Sequence, residues 1–527
     1  MADTIIKLPV GIQSFSGLIQ DQYLYIDKTD FIYKLRKNGK VYFLSRPRRF
    51  GKSLFLSTLK EYWSGNKDLF NGMKIEELEK NNPDAWQEYP VLYFDFNGMN
   101  YSIPNALEET LDSYLRNWEI KYEIEQTTYP LEIRFRNLLV GVYNKTGKRS
   151  VILVDEYDKS LLETVDNTEL HEQNKALFRG FFGNLKSYDD YIQFVFITGV
   201  TKFTKVSIFS DLNQLEDISF RAGYAGICGI TEEEIREHLM PEIENMASAR
   251  SKTVSDCLQS LKKMYDGYHF SRDSVGVYNP FSLFCALKEK NFEPFWFSTG
   301  TPTILMKKLK GLNFDVRLFD EQNLQADSEL LSDYRIENSD PIPLLYQTGY
   351  LTIKGYTEYE NEVLYTLGYP NSEVRFAFLK SLMPEYVDDC GPGSGKDIYT
   401  LNRYITNGDL DNIKNVFTAL FASIPYTGKD APFEHYFQTV IYIVFTLLEK
   451  YTHCELHMFT GRIDCVVETA KFVYIFEFKR DSSADEALNQ IEKQQYTKPY
   501  AADSRKIFRI GVNFKSETRA LEEWKTA

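Results

Sequence analysis

A chain of 527 residues is too long for one ordinary hydrophobic core and calls for about three domains. With 43% hydrophobic and 15% aromatic residues it has ample material for packed interiors, which excludes extensive disorder. A net charge of −14 excludes indiscriminate binding to nucleic acid, because affinity for a phosphate backbone rests on local positive charge. No charged segment with an apolar core precedes Leu8, and the longest apolar stretch, Val440 to Leu448, is too short to span a bilayer, so a cytoplasmic protein without membrane contact is expected. Six cysteines, at 228, 257, 285, 390, 454 and 465, lack paired metal-ligand spacing and read as buried free thiols. His453, Cys454 and His457 lie close together but have no second pair of ligands for zinc.

From the N-terminus, the apolar stretches Val41 to Ser45, Val91 to Phe96, Val151 to Val154 and Gln193 to Thr198 alternate with helical runs. That alternation predicts a mostly parallel sheet with helices on its faces. The first strand runs into Arg46-Pro47-Arg48-Arg49-Phe50-Gly51-Lys52-Ser53, followed by a helical run from Leu54 to Trp63. Strand, loop and helix in this order form the context of a P-loop, where backbone N–H groups and a helix N-terminus cradle phosphates. Gly51, Lys52 and Ser53 match its end: the lysine reaches the terminal phosphates and the hydroxyl binds Mg²⁺. Arg46 stands where the pattern asks for glycine, so the motif fails at its first position. Phe31 to Lys60 holds nine Lys or Arg and no acid, which suits nucleotide phosphates or a nucleic-acid backbone.

The strand Val151 to Val154 ends in Asp155 and Glu156. An aspartate so placed organises Mg²⁺ together with Ser53, and a glutamate polarises the attacking water. Alone, the pair is more often the point where a buried strand meets solvent. Its position about a hundred residues after a P-loop makes the functional reading the stronger one. Thr198, ending the next strand, is a weaker candidate for sensing the terminal phosphate. Arg179 and Arg221 are available as arginine fingers but neither is assigned, since arginines commonly make surface ion pairs.

Thr231-Glu232-Glu233-Glu234 has the capping-box signature, so a helix begins there and with it a helical middle region. Its aromatics, including Tyr265 to Phe270 and Phe295-Trp296-Phe297, read as core more readily than as a base-stacking platform. Gly391 to Gly395 marks a loop or linker, and helices between Asp397 and Ser423 lead on.

Near the C-terminus, Ile463 to Val467 and Phe472 to Phe478 read as two strands joined by a tight turn around Thr469 to Lys471. A two-residue loop sets Asp464 opposite Glu477 on one face, with Lys479 on the same side and Phe476 and Phe478 facing a core. Two carboxylates and an ammonium then converge. Oxygen ligands of this kind suit Mg²⁺, and Lys479 can orient a water or offset phosphate charge. An arbitrary Glu-x-Lys on a hairpin is usually a salt bridge. Lys471 to Lys515 carries nine basic and six acidic residues, a weak excess that permits nucleic-acid contact.

Gly461-Arg462-Ile463-Asp464 followed by Glu477-Phe478-Lys479 resembles the PD-(D/E)xK nuclease superfamily over about the last hundred residues. That resemblance implies Asp464 and Glu477 as metal ligands and Lys479 as the water-orienting group. It also implies Glu434, on a helix from Phe433 through Leu448, as a metal support, and Gln490 as the glutamine facing the site. The run from Leu8 through Tyr25-Ile26-Asp27-Lys28-Thr29 to Ser53 resembles an AAA-ATPase-like family of bacterial proteins with such a nuclease at the C-terminus. Val206 to Asn213, Tyr265 to Phe270 and Tyr346 to Leu351 resemble the same family, whose pattern includes arginine at the position of Arg46.

The expected architecture is therefore α/β: a P-loop NTPase core over 1–230, a helical, winged-helix-like lid and linker over 231–430, and a restriction-endonuclease-like domain over 431–527. The expected function is an ATP-binding, ATP-hydrolysing protein coupled to a metal-dependent nuclease. Catalytic residues would be Asp464, Glu477, Lys479 and Glu156, nucleotide-binding residues Gly51, Lys52, Ser53 and Asp155, and metal ligands Asp464, Glu477, Glu434, Ser53 and Asp155. ATP and Mg²⁺ are the expected cofactors, with Mn²⁺ also admissible at the nuclease. The partner is nucleic acid, DNA before RNA, and a homo-oligomer is admissible. A nucleotide-dependent switch whose C-terminal module binds nucleic acid or protein without cutting is the alternative, and a scaffold with two relic sites the third reading.

Overall fold

The computed structural model describes residues 6–202, 212–296, 309, 314–320, 324–332, 340–360, 362–387, 394, 397–423, 433–449, 453–459, 462–518 and 520–527. The segment Val206 to Asp211, and the Gly391 to Gly395 linker apart from Ser394, lie outside them. The chain divides into two compact units, Met1–Trp296 with Gln322–Glu373 and Phe297–Glu321 with Val374–Ala527.

In the first unit the four expected strands form, as β1 Val41–Ser45, β2 Val91–Asp95, β3 Ser150–Asp155 and β4 Ile192–Gly199, joined by a short β5, Glu216–Asp217. The sheet order is β2-β3-β4-β1-β5 and every pairing is parallel. Both faces are covered, as a parallel sheet requires. On one face Phe94 of β2 meets Trp118, Phe135 and Phe181 from the helices Ala106–Lys121, Leu131–Thr146 and Thr168–Ser187. On the other, Phe196 of β4 meets Phe55 of the helix Lys52–Trp63. Because β4 lies between β1 and β3, the ends of all three strands share the C-terminal edge, where ligands bind in open parallel sheets.

Thr231 caps the helix Glu232–His238 in the expected capping box with Glu234. The helices Met240–Ala249, Val254–Tyr265 and Pro280–Glu289 share an apolar cluster with it through Ile235, Ile243, Leu261 and Leu283. This middle region also carries an antiparallel sheet of β6 Leu324–Asp327, β7 Thr352–Glu358 and β8 Val363–Gly368, in the order β6-β8-β7.

The second unit holds a mixed sheet in the order β13-β12-β11-β10-β9, with β9 His453–Phe459, β10 Arg462–Glu468, β11 Phe472–Arg480, β12 Lys506–Lys515 and β13 Ala520–Thr526. Only β11 and β12 pair in parallel, and the helix Ala484–Lys493 makes the crossover that such a pair needs. Phe476 and Phe478 pack on Phe445 of the helix Phe433–Leu448. On the opposite face Val473 and Ile475 pack on Ile491 of the crossover helix. Cys228, Cys257 and Cys465 are buried free thiols, and Cys285 is a half-buried one. Among the described residues no helix is long and apolar enough to cross a membrane.

Candidate functional site

The loop after β1 turns through left-handed backbone at Arg49 (φ 66°) and Gly51 (φ 96°) before the helix starts at Lys52. A Cβ at Gly51 would meet nothing within 4 Å, so the glycine serves the backbone angle and not the space. The helix N-terminus presents N–H groups that have no intrahelical acceptor. Lys52 is buried, and its Nζ donates to the carbonyls of Arg46 (2.9 Å) and Pro47 (3.1 Å).

Arg46 keeps this shape despite replacing glycine. It is 1% exposed, and its Nη1 donates to the carbonyls of Ser45 (2.9 Å) and Ser219 (2.8 Å) while Nη2 donates to Tyr224 (3.3 Å). Its guanidinium lies 4.0 Å from the centre of the Phe270 ring. The side chain is thus a buried strut, its Nη donors spent on backbone, and the failed first position of the motif leaves strand, loop and helix intact.

Asp155 ends β3 buried, accepting from Thr198 Oγ1 on β4 at 2.7 Å. Glu156 follows in left-handed backbone (φ 49°), which costs a non-glycine residue about 1 kcal/mol. Burial pushes the Glu156 carboxyl above its ordinary pKa, opposed by the charges of Lys52 and Arg48 and reinforced by Asp158 and Asp155. The sequence reading missed Asp158. This buried carboxylate accepts from the N–H groups of Val200 (3.0 Å) and Thr201 (2.6 Å) and from Thr201 Oγ1 (2.7 Å), so it ties the turn after β3 to the end of β4. A Cβ on Gly199 would stand 2.7 Å from its Oδ1, so glycine there is a matter of space. The third acid in Asp155-Glu156-Tyr157-Asp158 was the available signal.

In the second unit the register sets Asp464 opposite Glu477, as the two-residue turn demands. Glu477 is fully buried and accepts from Lys479 Nζ at 2.8 Å. Lys479 also donates to Gln490 Oε1 on the crossover helix, so three of the expected residues meet. Gly511 of β12 is the register partner of Glu477, and a Cβ there would fall 2.4 Å from the Ala484 carbonyl. Its missing side chain lets the crossover helix close onto the strand. Asn513, paired with Lys479, accepts from the Ser482 N–H at 3.0 Å and fixes the turn into that helix. Sequence reasoning passed over both, because neither carries charge. The side chains of Asp464 and Glu434 lie outside the described part, as does Gly461.

Among the described residues no three His, Cys, Asp or Glu side chains converge as a ready-made metal site. The donors that are placed are nevertheless oxygens: Asp155 with Ser53 in the first unit, and Glu477 opposite the Asp464 position in the second. Both sets fit a hard divalent cation that takes its remaining ligands from phosphate and water.

Residues 9–209 match a family described as "Predicted AAA-ATPase", and residues 432–524 match the PD-(D/E)XK nuclease superfamily. An uncharacterised protein from the vnfD 5′ region of Azotobacter chroococcum mcd 1 is 34% identical, over 98% of both chains. Motif order, a parallel sheet with a P-loop at its edge, and a C-terminal mixed sheet all agree with these matches, and the chain belongs to the family that joins an AAA-ATPase-like domain to a C-terminal PD-(D/E)XK nuclease domain.

Proposed function

We propose that the chain binds and hydrolyses ATP at the P-loop and that this controls a Mg²⁺-dependent nuclease at Asp464, Glu477 and Lys479. The observation that carries the reading is the meeting of Lys52, Asp155, Glu156 and Thr198 at one edge of a parallel sheet, beside a second, separate cluster of Glu477, Lys479 and Gln490. Lys52 exchanges its two loop carbonyls for phosphate oxygens, which offer the charge those carbonyls lack. Ser53 and Asp155 would hold the nucleotide's Mg²⁺. Glu156, made more basic by burial, accepts the proton of the attacking water.

At the nuclease, Asp464 and Glu477 would hold the ion with support from Glu434, and the ion supplies Lewis-acid stabilisation of the phosphodiester. Lys479, steered by Gln490, orients the water. DNA in preference to RNA, a cytoplasmic setting and assembly into a homo-oligomer belong to the same proposal.

The test is cleavage of end-labelled linear DNA, closed circular DNA and single-stranded RNA with Mg²⁺ or Mn²⁺, with and without ATP. Asp464→Ala is expected to abolish cutting while leaving ATP turnover, and Lys52→Ala to abolish turnover. A folded, ATP-binding protein that cuts none of these substrates would instead establish the nucleotide-dependent switch.

A further inference from the structure

Three arginines stand within four residues of the P-loop, and the fold uses them differently. Arg46 is the buried strut already described. Arg49 is exposed in left-handed backbone, with its guanidinium 4.8 Å from the centre of the Phe281 ring. Arg48 is the exception. Its backbone is held, because its carbonyl accepts from Trp296 Nε1 at 3.0 Å, and Trp296 in turn donates its N–H to the buried carboxyl of Glu373 at 2.8 Å. Its side chain is exposed, and among the described residues nothing hydrogen-bonds, ion-pairs or stacks with its guanidinium.

A fixed backbone with an unengaged cation is a costly way to build a loop unless an anion arrives. The nearby groups point to which anion. Arg48 lies four residues before Lys52 on the same loop, and its charge is felt by Glu156, which it draws back toward the ionised form against burial. The cation therefore stands in the same pocket as the lysine that reaches the terminal phosphates and the carboxylate that accepts the water's proton. A guanidinium keeps its charge at any working pH and offers paired donors matched to phosphate oxygens.

Resting on the ATPase reading above, we propose that Arg48 is a catalytic residue that contacts the terminal phosphate of the bound nucleoside triphosphate and supplies, from the P-loop of the same chain, the arginine that such hydrolysis otherwise takes from elsewhere. Water oxygen bonds to the γ-phosphorus as the bond to the β–γ bridging oxygen breaks. The water's proton passes to Glu156, the bridging oxygen leaves with the diphosphate, and Arg48 offsets charge on the γ-oxygens. Because the arginine is carried in cis, turnover per chain does not require a second copy.

The experiment uses the full chain and measures steady-state ATP turnover at several protein concentrations, together with equilibrium binding of ATP and ADP. Arg48→Ala is expected to lower kcat by about 10³-fold, the lower end of the effect of such arginines. It is also expected to reduce the preference for ATP over ADP by about 10-fold, the worth of one charge-assisted hydrogen bond, with ADP affinity unchanged. Arg48→Lys restores part of the binding preference but little of kcat, and Arg221→Ala, whose side chain is exposed and paired with Glu216, behaves as the native protein. Native turnover with Arg48→Ala, equal loss of ATP and ADP affinity, or specific activity that rises with protein concentration would overturn the inference. If the native chain binds ATP without hydrolysing it, the ATPase reading fails while the ATP-over-ADP preference still decides whether Arg48 meets the terminal phosphate. If it binds neither nucleotide, both fall together.

Discussion

At the scale of single residues, Arg46 illustrates how a motif can change letter and keep its geometry. The usual first glycine of a P-loop is replaced by a side chain that turns into the interior and ties the loop to Ser219, Tyr224 and Phe270. Arg46→Gly, although it restores the common pattern, is therefore expected to destabilise the protein by about 3 kcal/mol, since it leaves buried carbonyls unpaired and a cavity behind. Urea or thermal unfolding reads this directly, and an unchanged or raised midpoint would refute the strut. Glu373 makes a pH-dependent contribution. Burial pushes its carboxyl up to about 8 although it accepts from Trp296 N–H and Ser282 Oγ. Its folded pKa is raised above the unfolded one, so its contribution is fully present below about 4.5 and is lost as pH rises to about 8. Glu373→Gln, which keeps an acceptor but cannot ionise, should flatten this slope and gain on the native protein by a few kcal/mol between pH 5 and 9, on the order of the shift itself. Parallel pH profiles of the two proteins would show that Glu373 does not titrate as described.

At the scale of elements, the β10–β11 hairpin was legible in full. Alternation sets which side chains share a face, and a two-residue turn leaves one register, so Asp464 opposite Glu477 follows from spacing alone. The helix Phe433–Leu448 and the four strands of the parallel sheet were equally plain, because runs of buried apolar residues between polar breaks have few other solutions. What spacing does not reveal is how a crossover helix approaches a strand. Gly511 decides this: Gly511→Val would drive a side chain into the Ala484 carbonyl, 2.4 Å from the Cβ position, and lift the helix that carries Gln490. A loss of about 1–3 kcal/mol in stability is expected from such overpacking. Nuclease activity should fall further than stability alone explains, as cleavage assays on the still-folded fraction would record.

At the scale of the molecule, the two compact units each hold their own sheet and their own polar cluster, which suits two chemistries on one chain. Calorimetry should resolve two transitions, and ATP with Mg²⁺ at about 100 times its Kd should raise only one of them, by about 2.7 kcal/mol. Lys52→Ala should remove that shift, whereas a single transition would show that the units do not unfold independently. The sequence by itself determined the elements, the hairpin register and the residues Lys52, Ser53, Asp155, Glu156, Glu477 and Lys479, because these depend on period, turn length and residue type within short stretches. The tertiary structure alone decided that β4 separates β1 from β3, that Asp158 ties the ends of β3 and β4 together, and that Arg46 is spent while Arg48 is not. Those facts rest on contacts between residues far apart in the chain, and no local pattern records which distant carbonyl, ring or carboxylate will be waiting there.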